Sequence, residues 1–92
     1  MITINSTVEK QVSNFIESEF GEEIMLMNLE TGNYLHVNQM GKVIWQYLDG
    51  ATNIQNLCDD LLKSYDIDKA TCERDVLEFL NNLLENSIIT VH

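Results

Sequence analysis

The sequence predicts an α+β protein in which an N-terminal three-stranded antiparallel sheet is followed by three helices. Two observations support this order. Short β-prone runs with alternating apolar residues occupy the first third of the chain, around a loop that ends in Gly32. Apolar residues at helical spacing occupy most of the rest. The tetrapeptide DGAT joins two of the helices and resembles the turn of a helix-turn-helix, so the predicted architecture is winged helix-turn-helix-like.

The best-defined part of the predicted sheet is a hairpin formed by the runs EEIMLMN and NYLHV. If residues 29–32 form a four-residue loop, the register places Ile24, Leu26, Leu35 and Val37 on one face and Met25, Met27, Tyr34 and His36 on the other. A slip of one residue would mix these two faces, so the register is well specified. A further, weaker strand is predicted within residues 6–15.

Three helices are predicted after the hairpin. Asn38 is a natural N-cap for the first helix, and Gly50 is expected to end it. Thr52 and Gln55 fit a capping box at the start of the second helix. Asp68 or Thr71 is expected to cap the third, whose apolar face contains Cys72, Val76, Phe79, Leu80 and Leu83. The final segment SIITV predicts a short strand or a docked tail.

The length and charge narrow the classes of function. Ninety-two residues predict a single domain, 1–92, with one modest core. The chain has 15 acidic against 5 basic residues, a net charge of −10, which disfavours binding to nucleic acid or to anionic membranes. No signal peptide and no membrane-spanning run is evident, so a cytoplasmic protein is predicted.

Few side chains are arranged for catalysis or for binding a cofactor. The two histidines, His36 and His92, are isolated, and Cys58 and Cys72 form no CxxC motif, so neither a metal site nor a cofactor is predicted. The two cysteines are expected to be buried thiols. No nucleophile elbow and no phosphate-binding loop is present, which predicts that the chain is not an enzyme.

A peptide-binding surface remains as the main functional hypothesis from spacing. If NYLHV is an edge strand, its unpaired N–H and C=O groups can bind an extended peptide. The third helix, whose apolar face is wider than one contact requires, would then form the other wall of a groove. The alternative is that this strand and this helix simply pack against each other.

Two segments of the sequence resemble the PqqD-like family, also called the RiPP recognition element. The pattern L-x-T-G-x-x-x-x-L-N-x-x-G-x-x-I-W-x-x-L-x-G-x-x-T is matched by Leu29, Thr31, Gly32, Asn38, Gly41, Ile44, Trp45, Leu48 and Gly50. A later pattern, D-V-x-x-F-L-x-x-L, is matched by Asp75, Val76, Phe79, Leu80 and Leu83. The resemblance covers residues 22–91. The chain departs from the pattern in four places: Val37 replaces the usual Leu, Met40 stands where a Thr often precedes the Gly, the Thr of the pattern arrives as Thr52, and Ser87 stands where a Gly usually opens the final turn.

The resemblance implies a module without chemistry of its own that binds the leader of a ribosomally made precursor peptide. In this family the leader adds as a strand beside the third strand, in the cleft against the third helix. The corresponding peptide-binding residues here are Asn33, Tyr34, Leu35, His36, Val37, Cys72, Asp75, Val76, Phe79 and Leu83. The resemblance further implies that Trp45 belongs to the core beneath the groove.

The expected partners are the leader peptide and a separate maturation enzyme. A leader protease of a lasso-peptide pathway is favoured, and a radical S-adenosylmethionine enzyme is the alternative. The contact with that enzyme is expected on the acidic surface or on the face formed by Met25, Met27 and Tyr34. Two other classes stay open: a winged-helix DNA-binding regulator, which would need a basic recognition helix, and a small enzyme, which would need a reactive cluster.

Overall fold

The computed structural model describes residues 2–92. Its strands and helices are, in chain order, β1 (Thr7–Lys10), β2 (Phe15–Phe20), β3 (Glu23–Asn28), β4 (Tyr34–Val37), α1 (Gln39–Gln46), β5 (Thr52–Asn53), α2 (Ile54–Ser64), α3 (Lys69–Glu85) and β6 (Ile89–Val91). The predicted α+β class, with a three-stranded antiparallel sheet and three helices, is confirmed. The winged helix-turn-helix-like arrangement stays a prediction.

The main sheet has the order β2-β3-β4, and its hairpin has the predicted register. Ile24 lies opposite Val37 and Leu26 opposite Leu35, as the alternation of apolar residues requires. Gly32 adopts φ +75° and so closes the loop in a conformation that glycine tolerates best. Ile24, Leu26 and Val37 are buried, so the inner face of the hairpin packs on the core.

The N-terminal region differs from the prediction. The predicted strand within residues 6–15 is split, because the Asn14 N–H donates to the Gln11 carbonyl at 2.9 Å and turns the chain after β1. β1 then pairs with β5 and β6 in a second small sheet, of order β5-β1-β6. The strand that completes the main sheet is β2, FIESEF, which was not predicted. Five of its six residues are exposed, so it lacks the apolar alternation on which strand prediction depends.

The helix starts agree with the prediction at two of three sites. The Asn38 side chain accepts a hydrogen bond from the Gly41 N–H, and the Asp68 side chain accepts one from the Thr71 N–H. The predicted capping box of the second helix is wrong, because Asn53 caps α2 and accepts from the Asn56 N–H at 3.1 Å. Thr52 lies one residue earlier, in β5.

α1 ends earlier than predicted, and the turn after α3 contains a residue in the left-handed conformation. α1 stops at Gln46, four residues before Gly50, because the Tyr47 N–H donates to the Ile44 carbonyl and tightens the last turn. Gly50, with φ +63°, instead forms the turn into β5. After α3, Ser87 adopts φ +58°, a left-handed conformation that favours glycine, in agreement with the glycine of the family pattern at this point.

Trp45 lies at the centre of the contact between α1 and the main sheet. It is buried, and its indole N–H donates to Glu17 Oε1 at 3.0 Å. Phe15 packs edge-on against it with the ring centroids 5.4 Å apart. Lys10 Nζ lies 4.0 Å from the centroid of the Trp45 ring, a cation–π contact, and burial lowers the pKa of this lysine. Trp45 is thus a core residue, as predicted, and it connects α1, β1 and β2.

Two further sequence expectations concern the cysteines and membrane-spanning helices. Cys58 and Cys72 are free and buried at the contact of α2 with α3, as expected. Within residues 2–92, no helix is long and apolar enough to cross a membrane.

Candidate functional site

The main sheet has a free edge at β4. Within residues 2–92, β4 pairs with β3 on one side and has no strand on the other. The Asn28 N–H donates to the Asn33 carbonyl at 2.9 Å, which makes this pair the first hydrogen-bonded pair of the hairpin. Because such pairs alternate with non-bonded ones, Leu35 and Val37 bond to β3. Tyr34 and His36 therefore direct their N–H and C=O groups away from the sheet, towards the free edge.

A groove of about 780 Å³ lies between this edge and α3. Its β4 wall is formed by residues 35–37, and its α3 wall by Asp75, Glu78, Phe79, Asn82 and Glu85. Met40, Gly41 and Ile44, from α1, form the floor. The groove thus combines unpaired backbone groups, an apolar centre and a polar helix wall, which are the features of a surface that can bind an extended peptide.

Close packing at Gly41 fixes the width of the groove at its centre. Gly41 is buried, and a Cβ atom at this position would lie 2.7 Å from Val37 Cγ1 and 3.0 Å from Phe79 Cε1. Both distances are well below ordinary contact between carbon atoms. α1 can therefore approach β4 and α3 this closely only because residue 41 has no side chain.

The buried side chain of Asn28 ties the hairpin to the end of α3. Its Nδ2 group donates to the Asn86 carbonyl at 2.7 Å, and its Oδ1 accepts from the N–H groups of Glu30 and Thr31 at 2.8 and 3.2 Å. One side chain thereby orders the hairpin loop and satisfies a carbonyl at the helix end. The start of β4 is held at the C-terminal end of α3, so the strand runs from Glu85 towards Phe79 and Asp75.

Five of the ten residues predicted as peptide-binding line the groove: Leu35, His36, Val37, Asp75 and Phe79. Tyr34 is exposed on the same strand, and Asn33 directly precedes it. The other three, Cys72, Val76 and Leu83, are a correction to the prediction: their side chains are buried in the core and do not line the groove. They lie on the apolar stripe of α3 that packs inward, and only its edge, at Phe79, reaches the groove.

The prediction missed the polar part of the helix wall and the floor. Asn38, Met40, Gly41, Ile44, Glu78, Asn81, Asn82 and Glu85 also line the groove. A signal was present in the sequence, because Asp75, Glu78, Asn82 and Glu85 recur at intervals of three and four residues and so share one face of a helix. This face is polar and lies beside the apolar stripe, so a prediction based on apolar spacing does not include it.

The titratable groups of the described residues form no reactive centre. Burial, with a contribution from Cys72, raises the pKa of the Cys58 thiol to about 12, so it stays protonated at neutral pH. Burial also raises the pKa of Cys72. His36 pairs with Glu23 on the exposed outer side of the hairpin. No group of three or more metal-ligating side chains is present within residues 2–92.

The fold and groove define a small α+β protein with an open sheet edge facing a helix. The chain belongs to the PqqD family: the family model described as coenzyme PQQ synthesis protein D matches residues 23–89. This confirms the resemblance found in the sequence. A solved structure, TbiB1 in complex with the TbiA(beta) leader peptide, is similar to the chain with 25% identity and a TM-score of 0.76. The similarity covers 88% of this chain and 93% of that one. No curated protein matches the chain significantly.

Proposed function

We propose that this protein binds the leader segment of a ribosomally made precursor peptide by strand addition at the free edge of β4. The single observation that carries the proposal is this edge, with its outward N–H and C=O groups, facing α3 across an open groove. The PqqD-family match and the similarity to a protein solved with a leader peptide support the same function.

A bound leader would extend the main sheet by one strand. Its backbone would pair with Tyr34 and His36, and its alternate side chains would point to the two faces of the sheet. Those on the inner face would lie between Leu35 and Phe79, where apolar side chains lose contact with water. A free leader is flexible and loses conformational entropy on binding, so both contributions are needed to reach a micromolar to nanomolar affinity, roughly −8 to −12 kcal/mol.

The protein would present the bound leader to a maturation enzyme and carry out no reaction itself. We favour a separate leader protease of a lasso-peptide pathway as this enzyme and propose a radical S-adenosylmethionine enzyme as the alternative. Holding the leader raises the effective concentration of the rest of the precursor at that enzyme. We propose that the module acts in the cytoplasm, as a winged helix-turn-helix-like domain.

Proline substitutions on the two edges of the sheet test strand addition. Tyr34→Pro and His36→Pro each remove one outward N–H and keep the bonds between β3 and β4. We expect each to weaken binding of a fluorescently labelled leader, encoded by a precursor gene beside this one, at least tenfold in fluorescence polarisation. Leu35→Pro is unsuitable, because the Leu35 N–H bonds to β3 and its loss would damage the fold.

The matched control lies on the opposite edge, at Glu19. In β2 the Glu19 N–H also points away from the sheet, so Glu19→Pro makes the same backbone change away from the groove, and Glu19→Ala reports the effect of the lost charge. Circular dichroism establishes that all four variants are folded. Full leader affinity in folded Tyr34→Pro and His36→Pro would exclude strand addition at β4.

A further inference from the structure

The helix wall of the groove is acidic. Asp75, Glu78 and Glu85, here called the acidic wall, line the groove from α3, and no lysine or arginine is among the lining residues that the structure describes. The intervals of three and seven residues place the three carboxylates on one side of the helix. Phe79 and Asn82 lie between them, so the negative charges flank an apolar centre.

Little positive charge within the protein compensates the acidic wall. Arg74 Nε lies 3.4 Å from Asp75 Oδ1, but the arginine side chain is 69% exposed and can move away at small cost. Within residues 2–92, Glu78 and Glu85 take part in no ion pair. Glu85 also ends α3, where the partial negative charge of the helix terminus adds to its own.

Strand geometry defines which residues of a bound peptide meet the acidic wall. Residues paired opposite Leu35 and Val37 point to the same face of the sheet as those two side chains, which is the face towards α3. Successive side chains on this face are about 6.8 Å apart. Asp75 and Glu85 are ten residues apart, about 15 Å along the helix axis, or about two such intervals. If an apolar residue of the peptide sits at Phe79, the peptide residues two positions before and two positions after it would thus lie close to the carboxylates.

We propose that the groove selects a leader with a cationic side chain, Lys or Arg, two residues from its apolar anchor, so that the cation lies against the acidic wall. This inference rests on leader binding at β4 and names the chemistry that the site selects. A leader with Asp or Glu at that position would meet like charges and be rejected.

The test compares two variants of equal net charge. Asp75→Asn with Glu78→Gln and Glu85→Gln removes three charges from the wall, and Asp59→Asn with Asp60→Asn and Asp66→Asn removes three exposed charges that do not line the groove. With the labelled leader of the neighbouring precursor gene, we expect the first variant to bind about tenfold more weakly and the second to stay within about twofold of wild type, near 0.15 M salt. Raising the salt to 0.5 M should weaken wild type several-fold and the wall variant much less.

A second measurement does not depend on the folding of protein variants. Each Lys or Arg of the leader is replaced by Gln in turn, and we expect one replacement, two residues from an apolar residue, to reproduce the loss seen with the wall variant. Combining that replacement with the wall variant should add little further loss, because both remove the same contact.

The outcomes separate the inference from the function on which it rests. A leader that binds wild type, is weakened by the proline changes in β4 and is insensitive to salt and to the wall variant would overturn the inference and leave the function standing. Equal losses in the two charge variants would also overturn it, since they would report net charge rather than the wall. A leader that does not bind wild type would overturn both.

Discussion

The Asn28 side chain offers a direct test of how the groove is held together. In Asn28→Asp, one carboxylate oxygen can still accept from the N–H groups of Glu30 and Thr31. The other oxygen takes the place of Nδ2, the group that in the wild-type protein donates to the Asn86 carbonyl at 2.7 Å. The substitution keeps the shape and the loop contacts and turns the link to α3 from an attraction into a repulsion between two acceptors.

The expected loss of stability follows from the two parts of this change. A hydrogen bond of this kind contributes about 0.5–1.5 kcal/mol, and a part-buried carbonyl left without its donor costs about 1–3 kcal/mol. The free energy of unfolding should therefore fall by about 2–4 kcal/mol at pH 7. The buried carboxyl of the variant should have a raised pKa, so it regains a proton, and a donor, as the pH falls. The difference from wild type should then shrink as the pH falls below 7.

Urea unfolding followed by circular dichroism measures this difference, and Asn33→Asp is the matched control. Asn33 pairs with Asn28 across the hairpin and is exposed, and the same change there should alter stability by less than about 0.5 kcal/mol. A lower urea midpoint with an unchanged slope is expected for Asn28→Asp. Equal midpoints for the two variants, or a loss that does not depend on pH, would refute the role given to the link between Asn28 and Asn86.

Three further predictions concern packing and the buried thiols. Gly41→Ala should lower the melting temperature, because its Cβ would lie 2.7 Å from Val37 Cγ1 and 3.0 Å from Phe79 Cε1. This is the opposite of the usual effect of alanine, which stabilises a helix by about 1 kcal/mol relative to glycine. A raised melting temperature in differential scanning calorimetry would contradict this packing. Cys58 and Cys72 should resist a thiol reagent at pH 8 in the native protein and react fully in urea. Because the pKa of Cys58 is raised to about 12 in the fold, against 9.0 as its ordinary value, the unfolded thiol loses its proton first and stability should fall as the pH rises from 9 towards 12. A Cys58→Ala variant with the same alkaline slope would exclude this thiol as the cause.

The sequence predicted the hairpin best, because two independent signals coincide there. The alternation from Ile24 to Val37 and the glycine at the end of the loop both require the observed register. β2 was not predicted because its side chains give no strand pattern. Glu17 and Glu19 have the appearance of ordinary surface charges, and only the backbone pairing with β3 makes the segment a strand. The carboxylate of Glu17 is in fact committed to the Trp45 indole, a contact between residues 28 positions apart that no local pattern reveals.

The groove was only partly predictable for a similar reason. The hairpin pattern predicted that β4 lies at the edge of the sheet, and the apolar stripe of the third helix predicted that this helix lies beside it. Leu35 and Phe79 were therefore predicted correctly as lining residues. The three core residues Cys72, Val76 and Leu83 were included because an apolar stripe does not show which of its edges faces solvent. That orientation is set by α2 and β6, which pack against α3 from other parts of the chain.

The shortness of β4 has a consequence for selectivity. Asn38 caps α1 directly after Val37, so the strand ends there. Within β4, Tyr34 and His36 offer the outward groups, two N–H donors and two C=O acceptors. Four backbone hydrogen bonds contribute about 2–6 kcal/mol, less than micromolar binding requires. An arbitrary extended chain, including a second copy of this one, would therefore be held only briefly at this edge. A peptide that stays must be recognised through its side chains, and the amino-acid sequence of the ligand rather than its extended shape decides what is retained.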